Sequence, residues 1–100
     1  MLRMDNVLRL ADTMETEKRA REVQLLINVI EPDPEFQPCF VSDLASLYDV
    51  TAQLPEVIEE KIRFYFKGDL PAPINTPLWQ FVDLVKQRYP GWPEVWPPEH

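Results

Sequence analysis

The sequence predicts an all-α fold, a small single-domain bundle of about four helices with proline-rich connectors and an irregular tail. The densest apolar run, residues 22–30 (E-V-Q-L-L-I-N-V-I), follows a segment of strong helix formers that contains neither glycine nor proline. Eleven prolines against two glycines suit helices joined by stiff connectors better than a hairpin-rich β fold. Apolar residues also recur at helical spacing in three later segments. We therefore expect helices near 5–30, 42–49, 54–67 and 77–89.

The length of the chain predicts a single domain. One hundred residues are the size of a single domain, which can bury one modest core. We therefore assign residues 1–100 to one helical domain and expect 1–4 and 97–100 to fray.

The first predicted helix carries two different apolar patterns. Its front half has one narrow stripe, which comprises Val7, Leu10, Ala11 and Met14. We predict that this stripe pairs with another chain, such as a second copy; packing on its own domain is the alternative. The rear half, 23–30, is apolar nearly all round, which is typical of a buried helix. A β-strand is the alternative there, because the β-branched residues also alternate.

Residues 31–40 (E-P-D-P-E-F-Q-P-C-F) predict an extended acidic connector, because their prolines forbid interior helical hydrogen bonds. The alternating acids Glu31, Asp33 and Glu35 resemble the start of a calcium loop. However, Phe36 replaces the glycine required at the sixth position, which argues against calcium.

The next two segments predict helices from their caps and spacing. Ser42 is a suitable N-cap for a short helix over 42–49. Pro55 suits a first helical turn, and Gly68 suits a left-handed terminator of the third helix. The apolar arc of that helix is predicted to comprise Val57, Ile58, Ile62, Phe64, Tyr65 and Phe66.

The C-terminal part predicts one more helix and a tail without regular structure. Thr76 followed by Pro77 marks a helix start, and the core face of the helix is predicted to comprise Leu78, Phe81, Val82, Val85 and Tyr89. The tail P-G-W-P-E-V-W-P-P-E-H contains Trp92 and Trp96. We expect both to fold back onto the helices; exposed anchors for a partner are the alternative.

The formal charge of −7 is unevenly distributed along the chain. No Lys or Arg lies between Arg21 and Lys61, whereas this acidic window holds nine acidic residues: Glu22, Glu31, Asp33, Glu35, Asp43, Asp49, Glu56, Glu59 and Glu60. Such a block predicts a negative potential over part of the surface and disfavours a nucleic-acid binder. The alternative is that these acids only keep a small domain soluble.

The residues that enzymes and metal sites need are mostly missing. The only histidine is His100, and together with the single Cys39 it provides neither a nucleophile pair nor a usual zinc site. Glu59 and Glu60 are neighbours, and adjacent side chains on a helix do not face each other. We therefore expect no enzyme, no cofactor and no metal.

Compartment is predicted from the same composition. There is no signal-peptide pattern and no apolar run near the length of a bilayer span, and one cysteine fits a reducing compartment. These observations favour the cytoplasm.

The predicted function is a non-enzymatic adaptor or inhibitor that presents its acids to a protein partner with a basic surface. The candidate partner-binding residues are Glu31, Asp33, Glu35, Asp43, Asp49, Glu56, Glu59, Glu60, Trp92 and Trp96. In a sharper version, the carboxylates imitate nucleic-acid phosphates and block a nucleic-acid-binding protein. In general character the chain resembles small acidic inhibitors encoded by phages or mobile elements, which is an analogy only.

Two other classes of function remain as alternatives. Residues 43–51 resemble the first helix and turn of a helix-turn-helix, which would make 43–63 a DNA-binding unit, although its acidic second helix would repel phosphates. The other alternative is a self-associating assembly protein that uses the stripe of Val7, Leu10, Ala11 and Met14.

Overall fold

The computed structural model describes residues 13–97, and within this range the chain is all-α, as predicted. It forms four α-helices and one short 3-10 helix: α1 (Met14–Lys18), α2 (Ala20–Ile30), the 3-10 helix (Pro34–Phe36), α3 (Pro55–Tyr65) and α4 (Leu78–Arg88). No strand forms in the described part, where a single antiparallel bridge joins Ser46 to Pro77. None of the described helices is long and apolar enough to cross a membrane.

The apolar run after Glu22 forms α2, so the helix interpretation of this segment is confirmed. Its buried residues are Val23, Leu26, Ile27 and Ile30, spaced three or four apart as one helical face requires. That face packs against α3 and α4, while Leu25 and Val29 are partly covered at its margins. The densest hydrophobic segment of the sequence is therefore the centre of the core.

The first predicted helix is interrupted at Arg19, which has non-helical dihedral angles (φ −120°, ψ 31°). The guanidinium of Arg19 donates to the carbonyl oxygen of Glu15 at 2.8 Å, and so satisfies a group that the helix would otherwise have paired. It also forms a two-point contact with the carboxylate of Asp83 on α4, at 2.7 and 3.0 Å. One side chain therefore stabilises the bend and ties it to the last helix. The part of the predicted helix before Thr13 lies outside the described residues.

The predicted helix over 42–49 is wrong, because these residues form consecutive turns. The carboxylate of Asp43 accepts hydrogen bonds from the amides of Glu15 and Thr16, at 3.0 and 2.8 Å, and thereby caps the start of α1. The carbonyl of Ala45 accepts from the amide of Leu78 at 2.8 Å, which attaches the same loop to the start of α4. An eight-residue helix is marginal by itself, so these long-range bonds outweigh it.

The last two helices begin and end close to their predicted positions. Pro55 is the first residue of α3, and the helix is terminated by Lys67 (φ 60°) and Gly68 (φ 97°) in the left-handed region. In α4 the buried residues are Leu78, Phe81, Val82 and Val85, as predicted, and Tyr89 is partly buried beyond its end.

The tail folds back on the helices at its two tryptophans. Trp92 is 1% exposed, and its indole N–H donates to the hydroxyl of Tyr65 at 3.0 Å. Trp96 is partly buried and stacks on Tyr65 with a centroid distance of 5.7 Å. Both rings also contact Phe66, so an aromatic cluster closes the C-terminal end of α3.

Candidate functional site

Basic side chains do not neutralise the acidic window between Arg21 and Lys61. Of its nine acids, only Glu22 forms an ion pair within residues 13–97, with Lys86 at 3.0 Å. The other ion pairs of this range join partners outside the window: Lys18–Glu15, Arg19–Glu15, Arg19–Asp83, Arg21–Glu94 and Arg88–Asp69. Lys61, at the edge of the window, donates to the carbonyl of Ile30 and the side-chain oxygen of Gln53. The excess of negative charge therefore persists in the folded chain.

Four of the predicted partner-binding acids are used by their own chain. Asp33 accepts from the amide of Glu35 at the start of the 3-10 helix. Asp49 accepts from both the amide and the hydroxyl of Ser46 at 3.0 Å. Glu31 accepts from the side-chain amide of Gln53, and Asp43 caps α1. These carboxylates shape loops and are poorly placed to serve as a common docking surface.

The pKa of Asp43 reflects these hydrogen bonds to its own chain. Burial by itself would raise the pKa of this carboxyl group. The amide hydrogen bonds from Glu15 and Thr16 stabilise the ionised form more strongly, so the pKa of Asp43 lies below its ordinary value. This charge stabilises a helix start, and its role is structural.

The remaining predicted acids are Glu35, Glu56, Glu59 and Glu60, and three of them lie on α3. None of the four side chains forms a hydrogen bond or ion pair within the described part of the chain. Arg63, on the same helix, forms no ion pair there either, although it lies four residues after Glu59. In contrast, several charged side chains of α2 and α4 form ion pairs, such as Glu22 with Lys86 between the two helices. The solvent face of α3 is thus charged and unpartnered.

The structure adds Phe64 to this face and corrects the prediction that it belongs to the core. Phe64 is 89% exposed, whereas Ile58 and Ile62 are fully buried. At 100° per residue, Phe64 lies 200° from Ile62, on the opposite side of the helix. The helical spacing alone could have predicted that Phe64 is exposed, but the broad apolar arc assigned to this helix included it. Phe64 is therefore an exposed aromatic side chain among charged residues at the protein surface.

Glu56, Glu60 and Phe64 follow one another at intervals of four residues and form a single row, which we call the α3 stripe. All three are exposed, and consecutive members are separated by a rise of about 6 Å along the helix. Leu54, immediately before the helix, is 66% exposed and adds an apolar side chain at the same end as Glu56. The stripe thus combines two free carboxylates with the uncovered ring of Phe64, and Leu54 adds a second exposed apolar side chain next to it.

Two grooves border the stripe, and Glu60 and Phe64 line both. One groove, of about 610 Å³, lies between α2 and α3 and includes Val29 and Val57 in its lining. The other, of about 810 Å³, extends from Phe64 to the tail at Trp96. Phe64 is therefore a ridge between two partly apolar depressions, a shape that an apolar partner segment can cover.

The two tryptophans that were candidate partner-binding residues have different positions. Trp92 lies in the core and offers no exposed surface, so it holds the tail and is not a docking anchor. Trp96 keeps part of its surface and lines the groove beside Phe64. The structure therefore brings Trp96 to the same side of the molecule as the α3 stripe.

Of the predicted self-association stripe, only Met14 lies within the described residues, where its side chain is 54% exposed. Val7, Leu10 and Ala11 lie outside them, so pairing through this stripe stays a prediction. The helix-turn-helix alternative lacks its first helix, because residues 43–63 contain turns followed by α3 alone.

Across 13–97, no three His, Cys, Asp or Glu side chains are grouped so that they could hold a metal ion. Cys39 is an exposed free thiol in the connector before the Asp43 loop. Comparisons with family models, curated proteins and solved structures find nothing that matches this chain.

Proposed function

We propose that this protein is a non-enzymatic interaction module, an adaptor or inhibitor, that docks through the α3 stripe on a protein partner with a basic surface. The observation that carries the proposal is the alignment of Glu56, Glu60 and Phe64 on one exposed helical row without any partner in the described chain. Free carboxylates attract basic residues of the partner and orient its approach. An aromatic side chain that becomes buried on binding supplies affinity.

The proposed docking surface is smaller than the acidic surface that the sequence predicted. The stripe retains Glu56 and Glu60 from the candidate acids and adds Phe64, which was assigned to the core. Asp33, Asp43 and Asp49 are excluded from the contact because each carboxylate already accepts bonds from its own chain. The partner is therefore expected to contribute both cationic and apolar side chains.

Mimicry of nucleic-acid charge is a finer version of the same proposal. It requires that the partner's basic surface is one that normally binds phosphates, so that duplex DNA or RNA competes for it. The excess of negative charge in the acidic window supports this version. An exposed free thiol at Cys39 supports a reducing compartment such as the cytoplasm.

The test compares affinity capture of partners by the wild-type chain with capture by two matched double variants. The first, Glu60→Gln with Phe64→Ala, removes one acid and one exposed Phe from the stripe. The control, Glu35→Gln with Phe36→Ala, removes the same two groups from the 3-10 helix, where both residues are also exposed. Proteins recovered from lysate of the source cells are quantified by mass spectrometry.

A true partner should be retained by the wild-type chain and the control, and lost at least about tenfold with the stripe variant, as for a hot-spot residue. Binding of the purified partner should weaken steeply as salt is raised. Equal retention by all three chains would refute the stripe as the docking site. Binding of duplex DNA by the chain alone, measured by fluorescence anisotropy, would favour the regulator alternative. A dimer in light scattering that persists in the stripe variant would favour self-association elsewhere.

A further inference from the structure

A third groove runs along α3 at Pro55 and Glu59, and its other walls are Tyr48 and residues 70–75. Its volume is about 600 Å³, and its lining is mostly proline and aliphatic side chains. Glu59 is the one charged residue among those that line it. Glu59 is half-buried at the groove margin and makes no hydrogen bond or ion pair within residues 13–97. The groove thus places one carboxylate that is not used by its own chain beside apolar walls.

Buried residues hold the backbone of both non-helical walls of this groove in place. Tyr48 lies between the buried Leu47 and Val50 in the chain, and it is 50% exposed. The turn that carries it is closed by the bonds between Ser46 and Asp49. The groove is therefore preformed on this side.

The opposite wall, residues 70–75, is held by the buried side chains of Ala72 and Ile74. Its first part is anchored by Asp69, which accepts a hydrogen bond from the Tyr89 hydroxyl at 2.7 Å. Pro71 and Pro73 restrict the backbone between these anchors. A ligand that enters the groove does not need to order either wall, which lowers the cost of binding.

We infer that this groove binds an arginine side chain of the basic partner, with its aliphatic stem along the proline wall and its guanidinium between Tyr48 and Glu59. Arginine combines an apolar stem with a planar cation, which stacks on an aromatic ring and donates two parallel hydrogen bonds to one carboxylate. The inference deepens the proposed function and rests on it, since it specifies what the basic surface inserts beside the α3 stripe. The groove suits arginine because it offers one carboxylate to the guanidinium and apolar side chains to the stem.

The test uses a probe that does not require the natural partner. The peptide acetyl-Ala-Arg-Ala-amide is titrated into the full chain labelled with nitrogen-15, and amide shifts are followed by NMR. The control peptide carries citrulline, which has the shape of arginine without its charge. The protein variants are Glu59→Gln and Tyr48→Leu, and the matched control is Glu35→Gln, an exposed acid that lies outside both this groove and the α3 stripe.

We expect the arginine peptide to bind with a Kd of about 1–10 mM and to shift the amides of residues 70–75. The citrulline peptide and the Glu59→Gln variant should each weaken binding about tenfold, while Glu35→Gln should change it less than about twofold. Equal binding of both peptides, an unchanged affinity in Glu59→Gln, or shifts confined to other surfaces would overturn the inference. If the arginine site fails while capture still depends on Glu60 and Phe64, the pocket alone is refuted. If the peptide binds as expected and capture is independent of the stripe, the pocket stands and the docking stripe is refuted.

Discussion

Phe64 and Phe66 are two residues apart, yet substitution of each by alanine should have opposite consequences for folding. Phe66 is 1% exposed and contacts the rings of Tyr89, Trp92 and Trp96, with centroid distances from 5.3 to 6.1 Å. Removing a buried Phe side chain leaves a cavity and typically lowers the free energy of unfolding by about 3–5 kcal/mol. For a domain of this size, that loss lowers Tm by between about 12 and 40 °C.

Phe64→Ala removes no buried contact, because the side chain is 89% exposed. Its effect on the free energy of unfolding should stay within about 0.5 kcal/mol. The higher helix propensity of alanine favours a small gain over a loss. The same variant should weaken partner binding, so it separates the docking role of Phe64 from folding.

The assay is urea denaturation followed by far-UV circular dichroism for the wild type and both variants, supported by thermal melts. The dependence of the free energy on urea, the m value, should be the same for all three chains if they share one native state. If Phe66→Ala does not fold, Phe66→Leu preserves most of the volume and should cost about 1 kcal/mol. Equal destabilisation at positions 64 and 66, or a loss above about 1.5 kcal/mol for Phe64→Ala, would refute the assignment of the two faces of α3.

Two further predictions concern the bonds that fix the ends of the helices. Asp43→Ala removes the acceptor for two amides of α1 and should lower the free energy of unfolding by about 1 kcal/mol, as measured by urea denaturation. Because the folded-state pKa of Asp43 is depressed, this difference should be complete above about pH 4 and shrink as the pH falls further; a difference that grew in acid would contradict the capping role. Tyr65→Phe leaves the buried indole N–H of Trp92 without its acceptor and should cost about 1–3 kcal/mol. Unchanged stability of Tyr65→Phe would show that this bond contributes nothing net.

Part of the proposed interaction surface was visible in the sequence, and part was not. The gap in basic residues predicted an excess of negative charge, and Glu56 and Glu60 remain free in the folded chain. Composition alone could not show that Asp43 would accept hydrogen bonds from the distant amides of α1, or that Asp49 would close a turn with Ser46. The exposure of Phe64 could have been predicted by angle, because it lies opposite Ile62 on the helix.

The sequence by itself determined α2, α3 and α4, because their apolar spacing and their proline and glycine boundaries act within a few residues. Only the tertiary structure decided the break at Arg19 and the turns that replace a helix over 42–49. In both cases the deciding bonds join residues far apart in the chain: Arg19 to Asp83 across 64 positions and Asp43 to Thr16 across 27. A charged side chain that bonds to a distant segment overrides a weak local preference for helix, and no pattern within one segment records that competition.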